Sequence, residues 1–264
     1  MSENVIYIDL TYDELAFLQV RLVAPPLLGM GTVLPENITE EAGTIRLQSG
    51  ASSLYARGYI HDGADGKLQI ESLAVSVIAT YAQAKLAIQV LNVPQLGATP
   101  RRYTYYISNE LAMEHVYDEN KLVHHFTLTN EIGVIADRIA DRMEMHNTQS
   151  PNISPVTISG ATMKAMNDAI RAHQPRNAVK ALTDAGVAPA QEIVSIMNSG
   201  EPQNTVIFFQ SGEAGLDTSG TFVLYQDRQA SLFVTPDGEK VHIEPIANET
   251  VFNRIRERLL PILA

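Results

Sequence analysis

Hydrophobic positions along the chain change period several times, and each change predicts a new structural element. Leu and Ile stand at positions compatible with one helical face over 40–58 and 71–84, which predicts two helices, and Gly58 stands where a left-handed C-cap is expected. The pattern then shifts to stretches rich in β-branched and aromatic residues, which predict strands. These predicted strands cover 85–91, 101–108, 113–118 and 122–128. Helical spacing then returns in a stripe formed by Ile132, Ile135, Ile139 and Met143.

The same order of elements occurs a second time along the chain. Sliding the sequence on itself by 119 positions pairs Val75 with Val194, and after a one-residue slip the shift of 118 pairs His124 with His242. Each copy reads helix ending in Gly, helix, strand, loop, strand, tight turn, strand, helix. The first copy needs a gap of about nine residues, which we assign to the loop at 61–69. The chain therefore reads as an internal duplication.

Capping residues and turn residues mark the ends of the predicted elements. A strand followed by a helix precedes each copy, over 5–22 and 154–172, and the polar segment 146–155 reads as a hinge between the halves. Glu119–Asn120 and Asp237–Gly238 are the predicted hairpin turns. The expected helix caps are Thr11 with Glu14, Asn130, Ser159 and Asn248. We expect residues 1–147 and 148–264 to be two halves of one pseudo-two-fold α+β structure that shares a single sheet, because a small sheet alone buries one face poorly.

Composition and charge restrict the classes of function. The 264 residues are 45% apolar and 19% charged, an ordinary globular composition, and the formal net charge of −11 repels nucleic acid and acidic membrane surfaces. No cysteine is present, which suits a cytoplasmic protein. The longest apolar stretch, 73–91, carries Gln83, Lys85 and Gln89 and is too polar to span a bilayer. We expect a soluble cytoplasmic protein that binds neither nucleic acid nor membrane.

Motifs for metal binding and catalysis are weak. His124 and His125 are adjacent in a predicted strand, so their side chains point to opposite faces. A calcium loop over 62–71 fails at three ligand positions, a glycine-rich phosphate loop at 29–34 lacks its third glycine, and no G-x-S-x-G occurs. We therefore expect no metal, no cofactor and no catalytic residue. The alternative is an enzyme or small-ligand binder at the junction of the two half-sheets, with His124 and His242 as a pH-sensitive pair.

The loop "NVPQLGATPRRY" at 92–103 has the most distinctive composition. It combines apolar residues with two arginines in an acidic protein, and Arg is enriched at interface hot spots. The corresponding segment of the second copy, 211–220, is acidic and rich in glycine, which suggests that only one loop is adapted for binding. An ordinary long hairpin loop is the alternative. The predicted partner-binding residues are Val93, Pro94, Gln95, Leu96, Arg101 and Arg102.

The chain resembles the EspG family, the cytosolic chaperones associated with type VII (ESX) secretion. The resemblance lies in "LTYDELAFLQ" at 10–19, "SLYARGYIHDG" at 53–63 and "ALTDAGVAPAQEIV" at 181–194. It implies a quasi-two-fold α+β fold with a central antiparallel sheet and two helical bundles, which binds the helical tip of PE–PPE type dimers. The partner-contacting elements that it implies are the loop Val93 to Arg102 and the helical bundle of the second half.

The leading hypothesis is therefore a cytoplasmic chaperone that binds a helical secretion substrate before export and acts as a monomer or weak homodimer. Such a partner exposes an apolar helical tip, which a binding protein can cover until export. A further alternative is a scaffold that dimerises through an exposed strand at 101–108, using its unpaired backbone groups.

Overall fold

The structure, a computed structural model, describes residues 5–30, 34, 37–95, 97–212 and 215–263, with the backbone alone at Ile132 and 260–263. Over these residues the chain forms twelve strands and eight helices. The strands are β1 (Val5–Thr11), β2 (Ile60–Asp62), β3 (Leu68–Ile70), β4 (Leu86–Val93), β5 (Arg101–Ile107), β6 (Ala112–Asp118), β7 (Val123–Thr129), β8 (Val156–Ser159), β9 (Gln203–Gly212), β10 (Gly215–Gln226), β11 (Ser231–Asp237) and β12 (Lys240–Ile246). The helices are α1 (Tyr12–Leu22), α2 (Glu40–Ala56), α3 (Ser72–Ala82), α4 (Ile132–Arg142), α5 (Gly160–Arg171), α6 (Pro175–Asp184), α7 (Ala190–Met197) and α8 (Asn248–Leu263).

Ten of these strands form one large sheet, in the order β1-β7-β6-β5-β4-β9-β10-β11-β12-β8. The predicted α+β class with a large antiparallel sheet is confirmed. Strands β2 and β3 pair separately, in the segment where we expected an insertion. Strand β5 lies between β4 and β6, so the alternative in which residues 101–108 form an exposed dimerisation edge is wrong.

The chain divides into two compact units. Unit 1 comprises Met1–Ala87 and Tyr103–Ile135, and unit 2 comprises Ile88–Arg102 and Ala136–Ala264. In unit 1, α1 packs against α2 and α3; in unit 2, α6 packs against α5 and α7. The core of unit 2 is continuous from these helices to the sheet and includes Met166, Leu182, Ile193, Leu232 and Ile243.

The segment that we expected to be a hinge, 146–155, is held within unit 2 at its beginning. Thr148 and Ser231 share a hydrogen bond of 2.8 Å between their hydroxyl oxygens, and the Gln149 amide donates to the Gln229 carbonyl at 2.8 Å. Gln149 also forms an isolated parallel bridge with Ala230. These residues are therefore anchored to β11 and the turn before it.

Local signals identified several helix ends correctly. Thr11 and Glu14 form the predicted capping box, and the Ser159 hydroxyl accepts a hydrogen bond from the Thr162 amide. Gly58 has a φ of 76° after α2, the left-handed conformation that glycine adopts at little cost. Asn248 was predicted wrongly: it lies inside the first turn of α8, and its amide donates to the His146 carbonyl at 2.9 Å.

Two other predicted turn and cap features also differ. Helix α4 begins at Ile132, so the residue at its N-cap position is Glu131. The predicted cap, Asn130, lies one residue further upstream. Strands β6 and β7 are joined by four residues, because Asp118 pairs with Val123, and Leu122 adopts a left-handed φ of 55°. The two-residue turn that we predicted at Glu119–Asn120 is therefore wrong. The β11–β12 turn does have two residues, but they are Gly238, at a φ of 57°, and Glu239, because the predicted turn residue Asp237 pairs with Lys240.

A buried carboxylate joins two of the segments that carry the resemblance to EspG. The Glu14 side chain is 0% exposed and accepts hydrogen bonds from the Thr11 amide and the Ser53 hydroxyl, each at 2.7 Å. Arg57 donates to both oxygens of the same carboxylate, at 2.7 and 2.9 Å. Helix α2 can approach α1 this closely because residue 50 is a glycine. A Cβ at this position would overlap with the Asp13 carbonyl oxygen. The motifs at 10–19 and 53–63 are therefore complementary parts of one contact.

Arg57 also covers part of an edge of the sheet. Strand β1 is the first strand in the sheet order, and its exposed apolar side chains include Ile6 and Tyr7. Arg57 donates from Nη2 to the Asp9 carbonyl oxygen at 2.8 Å, so the charged side chain occupies a backbone acceptor of this edge strand. A charge at a sheet edge opposes the addition of another strand.

We predict that Arg57→Ala lowers the free energy of unfolding by about 3 kcal/mol, because it leaves the Glu14 carboxylate buried without its countercharge. Arg46→Ala is the matched control, since Arg46 pairs with Asp13 in a more exposed position, at 3.1 Å, and its loss is expected to cost less than about 1 kcal/mol. Urea unfolding followed by circular dichroism measures both. Equal losses for the two variants would contradict the role assigned to Glu14.

Candidate functional site

A concave cleft in unit 2 is the candidate functional site. Its volume is about 420 Å³. It is bordered by the ends of β4, α7 and β10, by the start of β9 and by the turn that follows α5. The lining residues are Val93, Gln95, His173, Ile196, Met197, Asn198, Ser199, Gly200, Glu201, Pro202, Gln203, Tyr225 and Gln226.

A buried amide pair fixes the end of β4 at this cleft. Asn92 donates from Nδ2 to Asn204 Oδ1 at 3.0 Å, and Asn204 donates to the Met143 carbonyl at 2.8 Å; both asparagines are fully buried. A buried amide left without partners would cost about 1–3 kcal/mol, so the pair favours one alignment of β4 and β9. Val93 and Gln203, which follow and precede this pair, therefore meet at the cleft.

The opposite wall is formed by the C-terminal end of α7 and the turn after it. Ile196 and Met197 are buried, and Gly200 allows the chain to turn with a φ of 82°. The Ser199 hydroxyl donates to the Gln226 carbonyl at 2.8 Å, which ties this turn to the end of β10. The helix terminus is thus held at a fixed distance from the sheet.

Gln226 is the centre of the hydrogen-bond network beneath the cleft. Its side chain is almost fully buried and donates to the Glu144 carbonyl at 2.9 Å, while its oxygen accepts from Asn248 at 2.9 Å. The end of α4, the start of α8 and the end of β10 therefore converge on one side chain.

Glu201 supplies a fixed negative charge to the cleft. Its two oxygens accept hydrogen bonds from His146 Nε2 at 3.2 Å and from Arg228 Nε at 3.1 Å. These contacts, His146 first, hold the pKa of Glu201 below its ordinary value. Burial raises the pKa of Tyr225, which also lines the cleft, to about 12, so its hydroxyl stays neutral.

The structure brings only part of the predicted binding loop to the cleft. Val93 and Gln95 line it, and Pro94 lies between them. Leu96 lies outside the residues that the structure describes. Arg101 and Arg102 are exposed first residues of β5 and do not line the cleft; Arg101 instead pairs with Glu144 at 3.2 Å.

The segment 211–220, which we expected to be a second loop, is not a loop over most of its length. Strands β9 and β10 continue into 211–220, with Leu216 paired to Ser211 and Asp217 to Gln210. A bulge between Thr218 and Gly220 shifts the register. Sequence reasoning missed this extension because glycine-rich segments have low strand propensity.

Sequence reasoning also missed the α7 terminus and Glu201. The run Asn198-Ser199-Gly200 after an apolar stretch is a signal for a helix end, but its proximity to Val93 arises only through packing of the sheet. The sequence therefore contains a signal for the end of α7, but no signal that this end lies beside Val93.

The two histidines of the alternative hypothesis have separate surroundings. His124 is fully buried in unit 1; its Nδ1 lies 3.0 Å from His115 Nε2, and its ring lies 4.6 Å from that of Tyr117. The side chain of His242 in unit 2 is 44% exposed and contacts Thr157 at 2.8 Å. The buried histidine pair is thus His115 with His124.

No group of three or more His, Asp or Glu side chains among the described residues is arranged to hold a metal ion. Within the same part of the chain, no helix has the length and apolar character needed to cross a bilayer.

Comparison with known proteins relates this fold to that of a bacterial secretion chaperone. The solved structure concerned is that of EspG5, the Mycobacterium tuberculosis type VII secretion system chaperone, in complex with a PE25–PPE41 dimer. The match has a TM-score of 0.64 at 12% sequence identity and covers 95% of each chain. The predicted resemblance to EspG is therefore confirmed for the fold.

Other comparisons add no argument. A peroxisomal multifunctional enzyme type 2 from Drosophila melanogaster aligns over 91% of this chain and 48% of its own, at 11% identity, but with a TM-score of only 0.18. No protein-family model matches the sequence, and no curated protein matches it.

We predict that stability falls as the pH drops from about 6.5 towards 4, because burial, and to a smaller degree His125, lowers the pKa of His124 from 6.5 to about 4. The unfolded chain then binds the proton more readily than the folded one, which removes up to about 3 kcal/mol over this window. His124→Gln keeps a hydrogen-bonding side chain beside His115 and should flatten the profile, whereas His242→Gln should leave it unchanged. Unfolding free energies measured at several pH values test this, and identical slopes for both variants would count against it.

Proposed function

We propose that the protein is a chaperone that binds a helical protein partner at the cleft of unit 2. The observation that carries the proposal is the convergence of Val93 and Gln95 with the end of α7. The resemblance to EspG implied these same two elements, the loop after β4 and the helical bundle of the second half, as the partner-contacting parts. We include Pro94, Leu96, Arg101 and Arg102 in the proposed contact surface, beside the cleft.

The chemistry of the cleft suits a protein side chain. Val93, Ile196 and Met197 offer apolar walls, and Gln95 and Gln203 offer amides that can hydrogen-bond at the rim. A small number of polar groups within apolar walls is typical of sites that select a ligand by shape and orientation. The Gln226 side chain beneath the cleft is already hydrogen-bonded at both its nitrogen and its oxygen, so binding does not require it to reorganise.

The complex of EspG5 with a PE25–PPE41 dimer supports a helical secretion substrate of PE–PPE type as the partner. We infer that the protein acts in the cytoplasm, as a monomer or weak homodimer, without a cofactor, nucleic acid or membrane, and that its role is binding and not catalysis. An apolar helical tip would aggregate if left uncovered, which gives such a binding protein its purpose.

We also propose that the chain is a duplicated unit, with halves at 1–147 and 148–264 that share the sheet and carry one helical bundle each. The ends of α2 and α6 support this. After α2, the Gly58 amide donates to the Tyr55 carbonyl and the Tyr59 amide to the Leu54 carbonyl. After α6, the Gly186 amide donates to the Thr183 carbonyl and the Val187 amide to the Leu182 carbonyl. The two glycines have φ values of 76° and 79°. Both helices thus end in the same six-residue motif.

The starts of the halves support the same proposal. The Tyr12 amide, after the cap of α1, donates to the Leu122 carbonyl just before β7. The Gly160 amide, after the cap of α5, donates to the Glu239 carbonyl just before β12. Two different strand pairs are therefore closed by equivalent hydrogen bonds.

This equivalence corrects the alignment of the last hairpin. The β6–β7 turn has two residues more than the β11–β12 turn, so the shift after it is 117 and not 118. His242 then corresponds to His125, whose partner Asp9 corresponds to Thr157. A one-residue slip reverses the faces of a strand, which explains why His124 is buried and His242 is not.

We predict that Gln95→Trp reduces partner recovery at least about tenfold, because an indole at this exposed position fills the mouth of the cleft. Gln210→Trp is the matched control, since Gln210 is also exposed in unit 2 but does not line the cleft. The measurement is affinity purification of each tagged variant from cells of the source organism, with partners identified and quantified by mass spectrometry.

Recovery of a protein with long predicted helices by the unchanged chain and by Gln210→Trp, but not by Gln95→Trp, is the expected result. Recovery of no helical partner, or equal recovery by both variants, would overturn the proposed site.

A further inference from the structure

The lining of the cleft is acidic, and the basic side chains that contact its carboxylate, His146 and Arg228, lie outside that lining. Glu201 is the acidic residue among the lining residues, and neither Lys nor Arg is among them. The C-terminal end of α7, with Met197 and Asn198, contributes the partial negative charge of a helix terminus. The whole chain carries a formal charge of −11, which favours the approach of a cationic partner over an anionic one.

The Glu201 carboxylate retains the capacity to accept further hydrogen bonds. A carboxylate offers about four acceptor positions, and the contacts from His146 and Arg228 use one on each oxygen. Arg228 does not line the cleft, and its side chain is 88% exposed, so this ion pair is weak and a second cation can share the carboxylate. The lowered pKa of Glu201 keeps the charge present at neutral pH.

The walls accommodate the remainder of a long basic side chain. Val93, Ile196 and Met197 line the same cleft as Glu201 and can pack against three or four methylene groups. Lys and Arg bury their apolar stems in this way while the charged head reaches a polar group. A neutral apolar side chain would fill the same space but would add no hydrogen bond or countercharge to the carboxylate beyond those from His146 and Arg228.

We propose that the cleft selects a partner with a cationic side chain, Arg or Lys, at its helical tip, and that Glu201 recognises the charge. This inference rests on the proposed function, because it assigns the partner chemistry at the same site. It adds a specificity determinant to a surface otherwise defined by shape.

The test is a selection from a displayed library of two-helix hairpins randomised at the tip. Binders are collected on the unchanged protein, on Glu201→Gln and on Glu244→Gln, and those that still bind Gln95→Trp are discarded, so that only cleft-dependent binders are sequenced. Glu244 is the control because its carboxylate is also paired with an arginine, Arg254, at 2.9 Å, but does not line the cleft. Circular dichroism and thermal unfolding establish that the variants are folded.

The expected result is an Arg or Lys enrichment of at least about fivefold at one tip position on the unchanged protein and on Glu244→Gln, with loss of that enrichment on Glu201→Gln. Cleft-dependent binders without a cationic preference would overturn this inference and leave the proposed function standing, as would a preference that persists on Glu201→Gln. Failure to obtain any cleft-dependent binder would overturn both.

Discussion

The amide pair between Asn92 and Asn204 is the interaction on which the geometry of the cleft depends. Both side chains are fully buried, and the second also donates to the carbonyl of Met143, so three segments distant in sequence meet at two side chains. A shift of either strand by one residue would turn an amide towards the opposite face and leave buried polar groups unpaired. The apolar strands alone would tolerate several alignments, and the amides distinguish among them.

Unit 1 uses a buried polar group in the same way. Glu14 has four hydrogen bonds from three residues, and it joins helix α1 to the end of helix α2. Such a carboxylate adds little net stability compared with an apolar contact, but it penalises every other arrangement of the two helices. This explains how two short motifs at 10–19 and 53–63 could indicate a fold that the chain shares with EspG5 at only 12% identity.

The parts of the fold that the sequence predicted are those determined by local interactions. The capping box at Thr11, the C-cap at Gly58 and the alternating strands depend on residues a few positions apart. The errors have two other causes. Leu122 adopts a left-handed conformation that leucine rarely takes and that its residue type does not predict. The Asn248 side chain donates to the distant His146 carbonyl instead of capping its own helix. For the site, composition identified Val93 and Gln95, whereas Glu201 becomes their neighbour only through the pairing of β4 with β9.

Neither of the two groups with a shifted pKa in the cleft suits proton transfer near neutral pH. A general acid or base works best with a pKa near the operating pH, which requires a carboxyl pKa to rise or a phenol pKa to fall. The two groups with shifted pKa values in the cleft move the other way, since hydrogen bonds lower the pKa of Glu201 and burial raises that of Tyr225 to about 12. Each is therefore held in one protonation state around neutral pH. Glu201 and Tyr225, above a Gln226 side chain whose nitrogen and oxygen are both hydrogen-bonded, therefore present a surface that changes little around neutral pH, which supports the proposed binding role.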